Sequence, residues 1–478
     1  MIADLKPYPE YKESGLPSLG QVPGHWEVRQ VRHIGRLLKG VGGTKEDAVP
    51  VGVPCVRYGE LYTTYTYFIR TNKTCIKADR ATDYTPIQYG DVLFAASGET
   101  IEEIGKSAVN LMRTTAVCGG DVIVLRPSIP VNAPFLGYAL DCRPATNQKA
   151  TMGRGTTVKH IYPDELRSLL FPLPNLDEQA AILRFLDWAD ARLERAIRAK
   201  RNVIALLNEQ KQAIIHRAVT RGLDPSVPLT SSGIPWLGEI PVNYKRTKLG
   251  RVCISIRDGT HNPPTAIPGI HRLLSVRNVI NGRFVVRADD RTMTPSAFAE
   301  LQRSYRVERG DVVVAIVGAT TGKSAVVENM QNVTVQRSLA ILRPDSRLIS
   351  GIFLNLLISS EVIQRQIKQI MDKYAAQPGI YLNELSGLQV IYPFLNEQDS
   401  ISACIYDATR PLDATIARLE REIALLREYR TRLVADVVTG KLDVREAAGR
   451  LPDAGVLDIA EDADASADPE AADEEAVV

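Results

Sequence analysis

Cysteine, histidine and aromatic residues are scarce in this 478-residue chain, and none of them is arranged for chemistry. The six cysteines (Cys55, Cys75, Cys118, Cys142, Cys253 and Cys404) are scattered and include no Cys-x-x-Cys pair. That spacing speaks against a zinc ribbon and a disulfide framework and fits free thiols in a cytosolic protein. The six histidines (His25, His33, His160, His216, His261 and His271) form no His-x-x-x-His pair, so no metal site is expected. No Ser/His/Asp set stands out as a nucleophile with its base. No apolar run approaches the ~20 residues needed to span a bilayer. The first 13 residues carry five charges and no apolar core, unlike a secretory signal.

Charge of one sign is missing from the end of the chain. Residues 457–478 hold nine acidic side chains and no basic one, although the whole chain nets only +2. Without that stretch the body has 58 basic against 47 acidic residues, about +11, a balance that permits a polyanionic partner. Residues 444–478 read as an acidic disordered tail, either a solubility device or a loose competitor for a basic surface.

What the chain does have is itself, twice. The second half echoes the first at an offset of 217 to 220 residues. Ser14-Gly15-Leu16-Pro17 returns as Ser232-Gly233-Ile234-Pro235, and Gly90-Asp91-Val92 as Gly310-Asp311-Val312. Gly105-Lys106-Ser107-Ala108-Val109 returns unchanged at Gly322 to Val326, Leu125-Arg126-Pro127 as Leu342-Arg343-Pro344, and Glu178-Gln179 as Glu397-Gln398. So many matches, in order and at one offset, mean duplication.

Each repeat opens with about 160 residues rich in Gly, Pro and short β-branched runs, the pattern of a compact α+β domain. A long stretch nearly free of Gly and Pro follows, from about Glu178 to Thr220 and again from about Glu397 to Thr439. Leu412, Leu419, Leu426 and Leu433 recur every seven residues, with Ile416 and Ile423 four after members of that row. Leu186, Leu193, Leu207 and Ile214, with Ile197 and Ile204, repeat the stripe in the first copy. This is a heptad seam. Lys200, Lys211 and Arg430 interrupt it, and Pro411 should kink the second helix or mark its true start. A helix of about 40 residues is ~60 Å long, too long for its own domain to cover, so the two are expected to cover each other. If they pair antiparallel, the two domains are related by a pseudo-twofold axis, and the pair acts as a ruler.

The motifs of catalysis fail one by one. Gly318-Ala-Thr-Thr-Gly322-Lys323-Ser324 has three residues between its glycines where a phosphate-binding P-loop needs four, and the equivalent stretch from Gly98 to Gly105 has six. Asn262-Pro263-Pro264-Thr265 lacks the stacking aromatic of an amino-methyltransferase loop. Donor-rich loops remain. In the first domain the candidates are Arg57, Tyr58, Lys106, Arg154, Thr156, Thr157 and Lys159. In the second they are Arg257, Thr260, His261, Arg277, Thr320, Thr321, Lys323 and Arg337. Such side chains suit base edges and phosphates, and each could equally be a solvated or structural residue.

Taken together, the chain resembles the specificity subunit of type I restriction–modification systems. The resemblance rests on Tyr11-Lys-x-Ser14-Gly15-Leu16-Pro17-x-Leu19-Gly20-x-Val22-Pro23-x-x-Trp26, on Arg257-Asp258-Gly259-Thr260-His261-x-Pro263, and on the repeated Gly-Asp-Val and Gly-Lys-Ser-Ala-Val elements. Pro172-Leu-Pro174-x-x-x-Glu178-Gln179 and Val438-Thr439-Gly440-Lys441-Leu442 complete it. It implies two target recognition domains in tandem pseudo-repeat (1–177 and 223–396) with an antiparallel coiled coil formed by helices at 178–222 and 397–443. It further implies a non-catalytic, cytoplasmic chain that reads a bipartite target in double-stranded DNA. Its partners would be two modification (methyltransferase) subunits and restriction (translocase/nuclease) subunits. S-adenosylmethionine, ATP and Mg²⁺ would sit on those partners and not here. The rival expectation is a coiled-coil scaffold without direct DNA readout.

Overall fold

A computed structural model describes residues 5–452 apart from 99, 101–102, 155–158, 281, 329 and 374–378. The chain divides into two compact units, the first made of residues up to Lys200 together with the stretch from Arg421, the second of Arg201–Glu420.

The duplication is visible as shared topology. In the first unit a sheet runs in the order Gly35–Lys39, Val122–Pro127, Val92–Ala95, Ser107–Asn110, Tyr67–Ile69. In the second the order is Cys253–Asp258, Leu339–Pro344, Val312–Ala315, Ser324–Val326, then Arg283–Phe284 and Val279–Ile280. A smaller sheet in each contains one parallel pair, Val53–Val56 with Ala116–Cys118 and His271–Leu274 with Val333–Val335.

The Gly-Asp-Val strands are apolar throughout because both of their faces are covered. Successive side chains point to opposite faces. Val92 and Phe94 therefore join the core beneath the helices Ala133–Asp141 and Arg143–Met152, while Leu93 and Ala95 join the core beneath the smaller sheet. Val312 and Val314 against Val313 and Ala315 divide in the same way.

Two repeated motifs meet in space. Asp91, almost fully buried, receives Arg126 Nε at 3.0 Å and Nη2 at 2.7 Å; Asp311 receives Arg343 Nε at 2.9 Å and Nη2 at 3.0 Å. A planar guanidinium satisfies both carboxylate oxygens at once. Leu-Arg-Pro and Gly-Asp-Val recur together because each is half of one buried pair.

The long helices run over Leu176–Arg221 and Leu395–Val438, and each contributes one half to each unit. They pack antiparallel: Asp190 and Glu194 meet Arg430, Lys200 meets Glu422 at 2.5 Å, and Lys211 meets Asp413 at 2.6 Å. The three polar interruptions of the seam are thus each matched by acid on the other helix. Leu186, Leu193, Ile197, Ile416, Ile423 and Leu433 are buried, and Ile204, Leu207, Ile214, Leu412, Leu419 and Leu426 are half-buried. Left-handed glycines Gly222 (φ +69°) and Gly440 (φ +76°) follow the two helix ends.

Two expectations change. Pro411 neither starts nor ends the second helix; it lies exposed inside it, and its carbonyl accepts the Thr415 hydroxyl at 2.8 Å. The segment from residue 444 does not begin as a disordered tail. Arg445–Gly449 is a helix; Val444, Ala447 and Ala448 are buried in the core that contains Tyr8 and Trp26, and Leu451 is buried as well. The acidic composition starts only after this apolar spacing ends, and residues 453–478 lie outside the described ones.

The buried glutamines of the Glu-Gln motif lock each domain to its helix. Gln179 Oε1 accepts Asn132 N–H at 2.9 Å while its amide donates to Pro174 O at 2.8 Å. Gln398 repeats this with Ser350 N–H (2.9 Å) and with the carbonyls of Pro393 (2.9 Å) and Leu348 (2.8 Å). Gln398→Ala strands these buried backbone groups, and a loss of roughly 2–4 kcal/mol in denaturant unfolding of the second unit is expected. A loss within ~0.5 kcal/mol would show the clamp to be redundant.

Candidate nucleic-acid interface

In the second unit the strand registers bring the candidate loops to one edge of the sheet. Asp258 lies opposite Ala340, Ala315 opposite Leu339 and Val314 opposite Ser324. The end of Cys253–Asp258, the end of Val312–Ala315 and the starts of the other two strands therefore coincide. Loops 259–262, 316–323 and 336–338 leave from there.

These loops are stitched together by backbone. Thr260 N–H donates to Val335 O at 2.9 Å and Arg337 N–H to Thr260 O at 3.0 Å. Gly259 is required by proximity, since a Cβ there would stand 2.2 Å from Val335 O. His261 Nε2 lies 2.5 Å from Asp258 Oδ2, so the carboxylate orients an exposed imidazole. An open cavity of about 350 Å³ is lined by Arg257, Asp258, Thr260, His261, Tyr305 and Leu382, among others. Arg257 is exposed and reaches Ser304 O at 3.4 Å. The turn over residues 318–323 uses left-handed Gly318 (φ +85°) and Gly322 (φ +92°) and is closed by the Thr321 hydroxyl on Gly318 O at 2.7 Å. Thr320 is half-buried in it; Lys323 and, on the neighbouring loop, Arg337 are exposed.

Arg277 is engaged by two carboxylates. Its guanidinium holds Asp289 at 2.9 Å and Asp290 at 3.0 Å, and Asp290 is clasped in turn by the buried amide of Asn278. This arginine fastens the loop around residues 285–290 to the domain and is not a free donor.

The first unit assembles its candidates less openly. Arg57 is half-buried and donates to Thr44 O at 3.1 Å; Tyr58 is exposed, its ring 6.2 Å from that of Tyr62. Arg154 pairs with Glu165 at 2.9 Å but stays largely exposed, and its backbone bridges to His160. Lys159 is half-buried on a two-residue strand beside Ser97–Gly98. Thr156 and Thr157 lie outside the described residues. Lys106 is engaged within the domain: its ammonium is 2.7 Å from Asp141, whose other oxygen meets Lys149 at 3.2 Å.

Asp141 and Lys149 are the residues that sequence reasoning missed. Both side chains are fully buried, and burial pushes the Lys149 ammonium down while the Asp141 charge opposes that shift. Lys149 also donates to Leu140 O at 2.8 Å and to Ser107 Oγ at 3.1 Å. No repeat marks the pair, because the second copy does not have it. Glu178 and Glu397 open the repeated Glu-Gln motif. They receive His25 and Asn243, each at 2.9 Å, tying the helix start to the loop before the first core strand. Removing the charge with Asp141→Asn leaves Lys149 buried without a counter-charge. A loss of about 3–5 kcal/mol in chemical denaturation of the first unit is expected, and an unchanged midpoint would dismiss the pair as structural.

Residues 23–202 match the family model for the type I restriction modification DNA specificity domain. The specificity subunit of the EcoBI type I restriction enzyme of Escherichia coli is 26% identical over 297 residues, 60% of this chain and 61% of the relative's length. The EcoKI specificity subunit of Escherichia coli K12 is 20% identical over 437 residues, 89% of this chain and 91% of its own. A chain from a structure described as underlying complex assembly and conformational transition of a type I restriction–modification system superposes with TM-score 0.57 at 18% identity. It covers 88% of this chain and 99% of that one, and shows a shared fold. The chain is thus similar to the specificity subunits of type I restriction–modification systems along most of its length, with the specificity domain itself matched over residues 23–202.

Proposed function

We propose that this chain is the DNA-reading subunit of a type I restriction–modification complex, each unit reading one half of a bipartite site. The observation that carries this reading is the repetition of one α+β fold in two units, in the second of which one end of the sheet is given over to donor-bearing loops, together with two long helices that pair antiparallel. Arg257, Lys323 and Arg337 at that end of the sheet offer exposed cations to a polyanion, and His261 offers an imidazole oriented by Asp258. Loops that differ between the copies can read different base edges while the shared framework stays the same.

The chemistry of the complex belongs to its partners. Two modification subunits would bind S-adenosylmethionine and methylate, and restriction subunits would supply the ATP- and Mg²⁺-dependent steps. This chain's part is to convert groove contacts into placement of those active sites, and the paired helices set the length of the unread gap. The scaffold alternative has no observation in its favour.

Methylation-sensitive sequencing of a host carrying the complex should show a split motif. Exchange of residues 1–175 for those of a relative should change one half of that motif and leave the other untouched. A continuous palindrome, or a change in both halves, would refute the assignment. Purified complex should also bind duplex DNA with an affinity that falls steeply with salt; a scaffold would show no such dependence.

A further inference from the structure

The two copies of Gly-Lys-Ser-Ala-Val are the same five residues in the same place. Each opens the strand paired antiparallel to a Gly-Asp-Val strand, with Ser107 opposite Phe94 and Ser324 opposite Val314. What stands behind them can be matched residue by residue. A side chain at Gly105 would meet Lys149, and one at Gly322 would meet Gln364 and Ile367. Lys149 and Ile367 each follow a glutamine, Gln148 or Gln366, whose amide clasps the backbone of Leu170 or Gln389. Asp141 and Ser359 each end a nine-residue helix whose start is held by Gln179 or Gln398. Where the first unit has a buried Asp–Lys pair, the second has Ser359 and Ile367.

The consequence falls on the repeated lysine. Lys106 is drawn onto Asp141 at 2.7 Å and is only 27% exposed. Lys323 is exposed, and its ammonium has no hydrogen bond or ion pair among the described residues. The adjoining sequence widens the contrast. Between Gly98 and Lys106 stand Glu99, Glu102 and Glu103; between Gly318 and Lys323 stand Thr320 and Thr321 and no acid.

We infer that the two units hold DNA unequally at this position: the Lys323 turn grips a backbone phosphate, and Lys106 is a structural cation withheld from the DNA. The inference rests on the DNA-reading function proposed above. A phosphate attracts a free ammonium, whereas one already neutralised by a buried carboxylate and flanked by glutamates gains little from it. A phosphate contact also carries no sequence information.

The test uses the chain assembled with its modification subunits, titrated with target and non-target duplexes over a range of salt. Lys323→Ala should flatten the slope of log affinity against log salt by about 1, weaken both duplexes alike and leave the methylated motif unchanged. Lys106→Met should leave the slope at its wild-type value while lowering the melting temperature. The graft Ser359→Asp with Ile367→Lys, which gives Lys323 the partner that Lys106 has, should flatten the slope as Lys323→Ala does. An unaltered slope in Lys323→Ala, an equal flattening in Lys106→Met, a graft without effect, or a changed motif would each overturn the inference. Absence of salt-dependent binding by the wild-type complex would instead overturn the DNA-reading function itself.

Discussion

The structure depends on two long helices that cannot each bury their own apolar stripe. Next to each unit's sheet the stripe has a third surface to lean on: Leu186 and Ala189 share a core with Phe135 and Tyr138, and Ile401 and Ile405 share one with Phe353 and Leu354. Farther along, around Ile204, Leu207, Leu412 and Leu419, only the other helix is available and burial is partial. A heptad seam tolerates register slips of one repeat, because its apolar positions are alike. The ion pairs of Lys200, Lys211 and Arg430 supply the distinction. Each is worth little as a surface contact, about 0.2–1 kcal/mol, but a slipped register would face cations with apolar or like-charged neighbours. Features that look like defects in the stripe therefore specify which residues face each other.

A second constraint follows from that one. A helix that serves two units must be fixed to each of them, and the fixing falls to residues at the helix start. Gln179 and Gln398 satisfy backbone groups of the neighbouring helix and of the preceding Pro segment, while Glu178 and Glu397 hold the loop at His25 or Asn243. In the first unit the segment after the second helix is tied down as well, by Tyr11 on Gly440 O at 3.2 Å and by Arg445 stacked on Tyr8 at 5.0 Å.

Most of the framework was legible in the sequence because duplication marks it. Gly-Asp-Val, Leu-Arg-Pro, Glu-Gln and the helix-ending glycines recur, and each proves to be part of a buried pair, a clamp or a cap. The heptad spacing named the residues of the seam. Illegible were the features that need three-dimensional neighbours. Lys106 reads as a surface donor until Asp141, 35 residues on, is seen beside it. Arg277 reads likewise until Asp289 and Asp290 fold back onto it. The start of the C-terminal tail was misplaced because Val444, Ala447 and Ala448 are a short apolar set next to an acidic stretch, and composition averages over both. Pro411 does not mark the start of the second helix because an exposed proline can be carried inside a long helix held by its partner.

Repetition itself then separates two kinds of residue. A side chain kept in both copies with the same partners, such as Arg126 and Arg343, is needed by the fold whatever the fold is used for. A side chain kept in both copies with different partners is freed from that duty in one of them. Lys106 and Lys323 are of this second kind. The first copy holds its cation against a buried carboxylate shared with a second lysine, an arrangement whose desolvation cost makes it a weak source of stability. The second copy leaves the same cation at the surface over an apolar Ile367. A duplicated fold can accept such divergence because its halves are required to share a framework and not a surface, and at this position the charge each surface shows is set by one or two residues in the core beneath it.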